Sequence, residues 1–322
     1  MTTHLPSFID SALDRTVVPG YSRIGFQVRS RGWPPYAPQA LRGRTAMVTG
    51  ANSGIGKAIA VGLAELGAAV ILVVRNTARG QTAAAEIAEA VPGALVQVRR
   101  CDVADLADVR DFAADFVGRA DRVDILVHNA GVMPATRTES RQGYELCVAT
   151  HVLGPLLLTE MLSPALQRAG DAQVVLMSSG GMYAQAVHPD DLEYRTGDYR
   201  GATAYARSKR MQVALTPVLA ERYFGAGISV HSMHPGWVDT PGVATSLPRF
   251  RALTGALLRT PAQGADTAIW LAATDGLPSG LFWHDRMPRP EHYSRRTLES
   301  AADRDRLWEF CASATGVTAG KP

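Results

Sequence analysis

The segment 203-TAYARSKR-210 sets Tyr205 and Lys209 four residues apart, so on a helix both side chains leave the same face. A phenol and an ammonium so placed have a joint chemistry. The positive charge favours phenolate, lowers the phenol's pKa and makes the tyrosine an acid or base towards a reacting oxygen. The same spacing often arises by chance as a solvated pair, so its meaning depends on what else converges on it. Upstream, the apolar run VVLM ends on Ser178 and Ser179, which puts two hydroxyls at the carboxyl edge of a strand, where open α/β sheets hold their ligands.

A second group of residues suits a dinucleotide. In 45-TAMVTGANSGIGKAIA-60 a strand-like run turns through Gly50, Asn52, Ser53 and Gly54 into a helix carrying Ile55 and Gly56. The glycines let backbone N–H groups approach a pyrophosphate at the helix N-terminus. The next strand ends Val73-Val74-Arg75-Asn76 without the carboxylate that would bind a ribose 2′-hydroxyl, and Arg75 offers a planar fork for a 2′-phosphate instead. NADP(H) is therefore the expected cofactor, with NAD(H) as the alternative.

These groups must be held by a scaffold, and the chain supplies one. Apolar runs TAMVTG, AAVILVV, ALVQVR and VDILVHNAG alternate with helices expected near 54–66, 77–90 and 105–117, followed by helix 140–168, strand 172–178, helix 203–224 and strand 227–233. Such alternation is that of βαβ units. The expected fold is α/β: a single doubly wound Rossmann-type domain with a parallel sheet over 44–290, an N-terminal arm over 1–43, and a C-terminal cap formed by a helix and tail over 291–322. In the arm, Leu5, Phe8, Ile9, Ala12 and Leu13 have helical spacing, which predicts a helix packed on its own domain.

Composition narrows the function further. The chain has 322 residues, 46% hydrophobic and 20% charged, so it can bury a large core. Residues 1–44 carry six Arg against two Asp and the remainder 27 basic against 28 acidic residues, which gives no footprint for nucleic acid. Cys101, Cys147 and Cys311 are widely spaced and show no metal-ligand pattern, so no metal is expected, and a reducing cytoplasm fits. No run is expected to reach the roughly 20 apolar residues of a bilayer span, and the start of the chain reads as uncleaved.

With TGxxxGxG at 49–56, the serine pair and YxxxK, the chain resembles the short-chain dehydrogenase/reductases, strongly over about 45–240. The resemblance implies that Ser179 hydrogen-bonds the substrate oxygen, that Tyr205 gives or takes its proton, and that Lys209 tunes the tyrosine and holds the ribose. It implies that Asp102 and Val103 meet the adenine, although Asp102 could otherwise cap the following helix. Asn129, Ala130 and Gly131 match the family's NAG turn. In HPGWVDTP, Pro235, Gly236 and Val238 would border the nicotinamide and Thr240 would contact its carboxamide. SSGGM at 178–182, MHPGWVDTPGV at 233–243, QGADTAIWLA at 263–272 and PSGLFWHDR at 278–286, together with a GY-containing arm, look like the dehydrogenase/reductase member 12 group.

The expected activity is hydride transfer between the nicotinamide and a carbonyl or secondary alcohol. Met182, Tyr183 and Trp237 are candidate walls of an apolar substrate pocket. Homodimers or homotetramers are the family's habit, and a small molecule, without nucleic acid or stable membrane insertion, is the expected partner. A nucleotide-binding sensor that has lost turnover is the alternative from another class. One residue departs from the family. Aligning Leu153-Gly154 on its N-x-L-G places His151 where an Asn is usual. Pro155 cannot bond the carbonyl of residue 151, so a kink is expected to free that oxygen for a water leading protons from the lysine. His151 would join this relay or hold the kink by local hydrogen bonds.

Overall fold

The chain was analysed as a computed structural model that describes residues 10, 13–119, 121–246 and 248–318. Strands β1 (Thr45–Thr49), β2 (Ala69–Val74), β3 (Val96–Arg100), β4 (Ile125–His128), β5 (Ala172–Met177), β6 (Ile228–Met233), β7 (Phe282–His284) and β8 (Met287–Pro288) form one sheet in the order β3-β2-β1-β4-β5-β6-β7-β8. Every pairing is parallel except β7 with β8. Chain order reverses between β1 and β4, so their carboxyl ends open the crevice in which such sheets hold ligands.

Alternation along each strand divides the core in two. Met47, Leu126, Val174 and Val230 face one layer, whereas Ala46, Val48, Ile125, Val127 and Val175 face the other. Arm helices α1 (Val17–Tyr21) and α2 (Arg23–Ser30) precede the sheet, and α3 (Gly54–Glu65) and α4 (Thr77–Ala90) cover the second layer. The first layer receives α5 (Leu106–Gly118), α6 (Leu146–Gln167) and α7 (Gly201–Arg222). Short helices α8 (Pro241–Ser246) and α9 (Pro248–Thr254) lead to α10 (Pro261–Ala272), which packs beside α3, and α11 (Ala301–Thr315) joins the first layer.

Local chemistry sets the ends of these helices. Asn76 caps α4 by accepting from Arg79 N–H, and Asp105 caps α5. Reciprocal capping boxes open α10 at Thr260 and Gln263 and α11 at Ser300 and Asp303. The helix expected from 140 begins only at 146. Residues 139–145 instead form a bridged turn through Gly143, at φ +83°, and the Glu145 side chain accepts from Val148 N–H at the new start.

Contrary to the expectation that no run would be long enough, α6 has the length and hydropathy to cross a membrane, with 22 residues and a mean hydropathy of 1.5. Of its most apolar stretch, 78% is buried inside the protein, as in a core helix. All three cysteines are buried and unpaired.

Two elements escaped the sequence reading. β7 and β8 are joined by Asp285-Arg286, with φ +52° and +60°, a hairpin turn without the usual glycine or asparagine. Tertiary contacts hold this conformation. Arg286 makes two hydrogen bonds to the Asp266 carboxylate, at 2.8 and 2.6 Å, and stacks over Trp33 and Tyr36.

The other is how the arm, expected to pack as a helix on its own domain, is fastened to it. Leu5, Phe8, Ile9 and Ala12 lie outside the described residues, and the described part is fastened mainly by charge. Asp285 bridges Arg29 at 2.8 Å and Arg259 at 2.6 and 2.8 Å, all three side chains being nearly solvent-free. Burial pushes the Asp285 carboxyl up, but the Arg259 and Arg29 guanidiniums outweigh it and hold the pKa below the usual range. Removing one partner from a buried cluster strands the others, whereas an exposed pair contributes little. Asp285→Ala is therefore expected to lower unfolding stability by about 3–5 kcal/mol. Asp115→Ala, which breaks a pair with Arg119 whose side chains are both about half exposed, should change it by less than about 1 kcal/mol. Urea denaturation of both variants checks the contrast.

Candidate active site

At the crevice, Gly50 and Gly54 adopt φ of +66° and +55°, which an L side chain rarely does. A Cβ on Gly56 would lie 2.3 Å from Asn129 Nδ2 and 2.5 Å from Gly50 O, so the turn closes only with glycine there. Ser53 sits at the N-cap of α3 without making a side-chain cap, leaving the first amides of that helix for a ligand. Asn52 and Ile55 flank this opening and are partly exposed. The cradle suits a pyrophosphate, and its opposite wall is Thr240, whose Cβ lies 3.6 Å from where a Gly54 Cβ would stand.

At the end of β2, Arg75 is exposed and has no ion-pair partner among the described residues. Asn76 is occupied as a helix cap. Arg79, three residues beyond that cap, also exposed and without an ion pair among the described residues, is a second cation that the sequence reading missed. Its signal was available: it falls in the first turn of a helix whose cap lies at the strand end. Asp102 accepts from Ala104 N–H through one oxygen, while the cap of α5 is Asp105, so Asp102 retains a carboxylate oxygen for a ligand. Val103 is buried beneath it.

Asn129 is more structural than expected. Its amide donates to Thr49 O at 3.0 Å and to Gly50 O at 3.3 Å, while Thr49 Oγ1 accepts from Asn129 and Ala130 N–H. These bonds staple β4 to the glycine turn, and Gly131 follows on the exposed side.

Across the crevice the two serines separate. Ser178 is buried and donates to Lys209 O, whereas Ser179 accepts from Gly181 N–H and its side chain reaches the Tyr205 hydroxyl. Burial pushes the Tyr205 phenol up to about 12, which the Ser179 hydrogen bond opposes, so the group is a proton donor at neutral pH. Burial brings Lys209 down to about 7, and its Nζ donates to Met177 O at 2.7 Å, 5.4 Å from the centre of the Tyr205 ring. The expected lowering of the phenol pKa is not met, because burial of the phenol outweighs the Ser179 hydrogen bond.

The opening residue of the family departure has a definite place. Residues Ala149–Leu153 form a π-helical segment within α6, with Gly154 N–H donating to Ala149 O. The ladder is thus interrupted, and the freed His151 carbonyl accepts from the Gln212 side-chain amide at 2.8 Å. Val132 N–H donates to His151 Nε2 at 3.0 Å, which places the ring proton on Nδ1. Nδ1–H then donates to Ser208 Oγ at 2.8 Å, and Ser208 donates to the Tyr205 carbonyl. His151 therefore ties the 129–132 turn to the helix carrying Tyr205 and Lys209. Burial, then the charge of Lys209, keep its pKa well below 6.5, so it stays neutral across the working range.

The turn 235–240 is locked from two sides. Gly236, at φ +77°, passes so close to Arg259 that a Cβ would lie 2.5 Å from its Nε. Trp237 N–H donates to Tyr21 O in the arm, and Arg259 N–H to Trp237 O. Val238 is buried, and Pro235 and Thr240 are partly exposed towards the crevice.

Next to Ser179 opens a cavity of about 820 Å³ lined by Tyr183, Trp237 and Tyr293, by Gly180 and Gly181, and by Arg15, Val17 and Tyr21 of the arm. Met182, expected among its walls, is instead fully buried against Val213 and Phe282, because the 3₁₀ turn 180–184 directs it inward. Glu291, His292 and Glu299 come together beside the cavity, but Arg210 already supplies their cation with hydrogen bonds to His292 and Glu299.

The short chain dehydrogenase family pattern matches residues 44–249. Dehydrogenase/reductase SDR family member 12 of Bos taurus is 40% identical over 297 residues, covering 90% of this chain and 92% of that protein. Retinol dehydrogenase 11 of Mus musculus is 33% identical over 279 residues, 82% and 86% of the two chains. A short chain dehydrogenase of Shigella flexneri 2a, solved in complex with NADP, superposes with a TM-score of 0.64 at 26% identity over 78% of this chain and all of the other.

A neutral His151 and a Lys209 near 7 have different kinetic consequences. The Lys209 ammonium is present below about pH 7 and lost above it, so kcat/KM for NADPH should fall as pH rises through about 7. In His151→Asn that limb should stay in place while unfolding stability drops by about 1–2 kcal/mol through the lost hydrogen bonds. A pH–rate profile and a denaturation curve measure both.

Proposed function

The chain belongs to the short-chain dehydrogenase/reductases and is an NAD(P)-dependent oxidoreductase, and on that premise we propose that it reduces bulky apolar carbonyl compounds with NADPH. The observation that carries this reading is that Ser179, whose side chain reaches Tyr205 beside Lys209, adjoins an aromatic-walled cavity at the sheet edge that also bears the glycine cradle, with Arg75 and Arg79 unpaired among the described residues.

The chain's residues divide the work. The bound nicotinamide supplies the hydride. The α3 amides and the 50–56 turn hold the pyrophosphate, Asp102 the adenine edge, and Arg75 with Arg79 the 2′-phosphate, whose dianion both guanidiniums fit. The 235–240 turn borders the nicotinamide. Ser179 and Tyr205 donate to the carbonyl oxygen as negative charge develops on it, which stabilises the transition state more than the ground state. Tyr205 then gives its proton to the oxygen, and Lys209 stabilises the phenolate left behind. His151 is a positioning residue that acts on Tyr205 through Ser208. A substrate with substantial apolar surface is supported by the walls Tyr21, Tyr183, Trp237 and Tyr293, and by the likeness to a protein named for retinol.

Two measurements test this. Tyr205→Phe should lower turnover of lipophilic ketones and aldehydes at least about a hundredfold while NADPH binding changes little, and surviving turnover would remove the assigned acid. Arg75→Ala combined with Arg79→Ala should raise the Kd for NADPH about tenfold or more relative to NADH, from charged hydrogen bonds of about 1.5–3 kcal/mol. An unchanged ratio would remove the assigned phosphate site.

A further inference from the structure

The arm does more than pack on the domain, because it forms one side of the substrate cavity. Tyr21 lies over Gly180, where a Cβ would meet its ring at 2.8 Å, and the arm's Arg15 and Val17 continue the wall outward. The charges that fasten the arm cancel. Asp10, Asp14 and Asp285 are matched by Arg29, Arg259 and Arg289 through contacts among nearly solvent-free groups. Of the other polar groups at the cavity, the Tyr183 hydroxyl donates to Pro290 O and the Tyr293 hydroxyl to Asp14. His292 is held between Arg210 and Thr297, and its pKa is lowered by burial and then by Arg210, so it carries no charge at neutral pH.

Arg15 is the exception. It lines the cavity, is exposed, and has no ion-pair partner among the described residues. Among the described residues, the cavity thus presents aromatic faces near Ser179 and one guanidinium without an ion-pair partner on the arm side.

We propose that Arg15 is an anion-recognition residue, and that the preferred substrates are apolar carbonyl compounds bearing a carboxylate at the end remote from the reacting carbon. The proposal rests on the reading of this cavity as the substrate site. The aromatic walls would hold the apolar body, and the fork of Arg15 would pair the carboxylate at the mouth. A neutral analogue of the same shape keeps the first interaction and loses the second.

The test compares 5-oxo-5-phenylpentanoic acid with its methyl ester, two probes that differ at the remote end by one charge. Binding of each to NADP⁺-loaded full-length protein is measured by calorimetry, and reduction of each with NADPH is followed alongside. The acid should bind about five- to tenfold more tightly than the ester at low salt, and this ratio should shrink at 0.5 M NaCl, where the Debye length falls to a few ångströms. In Arg15→Ala the ratio should fall to about one, and Arg15→Lys should restore part of it, as a point charge without the fork. A ratio near one in the unmodified protein, a preference that survives Arg15→Ala, or binding of neither probe overturns the proposal. Reduction of the ester without any preference for the acid would leave the oxidoreductase reading standing and remove the anion site alone.

Discussion

The structure depends on how three arginines and three aspartates are buried together. Asp285 stands at the end of β7 in a left-handed turn and neutralises Arg29 from the arm and Arg259 from the segment before α10. Neither arginine could lie in that interior without it, since an unpaired buried charge costs several kcal/mol. Arg259 in turn donates to Tyr21 O, Gly20 O and Pro235 O. One carboxylate thereby sets the arm, the turn 235–240 and the edge of the sheet relative to each other. The aromatic-walled cavity is the space left between them.

A second set of bonds performs a similar task with neutral groups. The π-helical segment turns the His151 ring towards Ser208 and its carbonyl towards Gln212, so α6 and α7 are joined at the level of Tyr205 and Lys209. The histidine's partners require the neutral ring, and its burial keeps it so. The residue that departs most from the family's pattern therefore acts as a brace. Its hydrogen bonds run to the backbone turn on one side and to the catalytic helix on the other, which leaves it no free nitrogen for a relay.

Much of this was legible from local patterns. Apolar runs placed the first six strands to within about three residues at either end, because a strand buried on both faces reads as a continuous apolar run such as AVILVV. The glycine turn and the tyrosine–lysine pair were legible for a similar reason, each being a short-range requirement of one turn or one helix face. Arg79 could have been found by the same logic from its place in the first turn of α4. β7 and β8 could not, since three and two residues carry no periodicity and Asp285-Arg286 is no standard hairpin signal. Met182 was misplaced because sequence neighbours in a 3₁₀ turn point in different directions: Tyr183 lines the cavity and Met182 fills the core.

The residues alone determined the fold class, the family, the glycine turn and the tyrosine–lysine pair on one helix face, for each is encoded within one strand–turn–helix unit. Distant segments had to meet before the rest was decided. Which serine faces the tyrosine, which way the His151 ring is held, and that the arm walls the cavity all follow from contacts across 19 to 279 positions of chain. Those contacts depend on buried polar groups finding partners, and a one-dimensional pattern shows that such groups exist without showing which of them will meet.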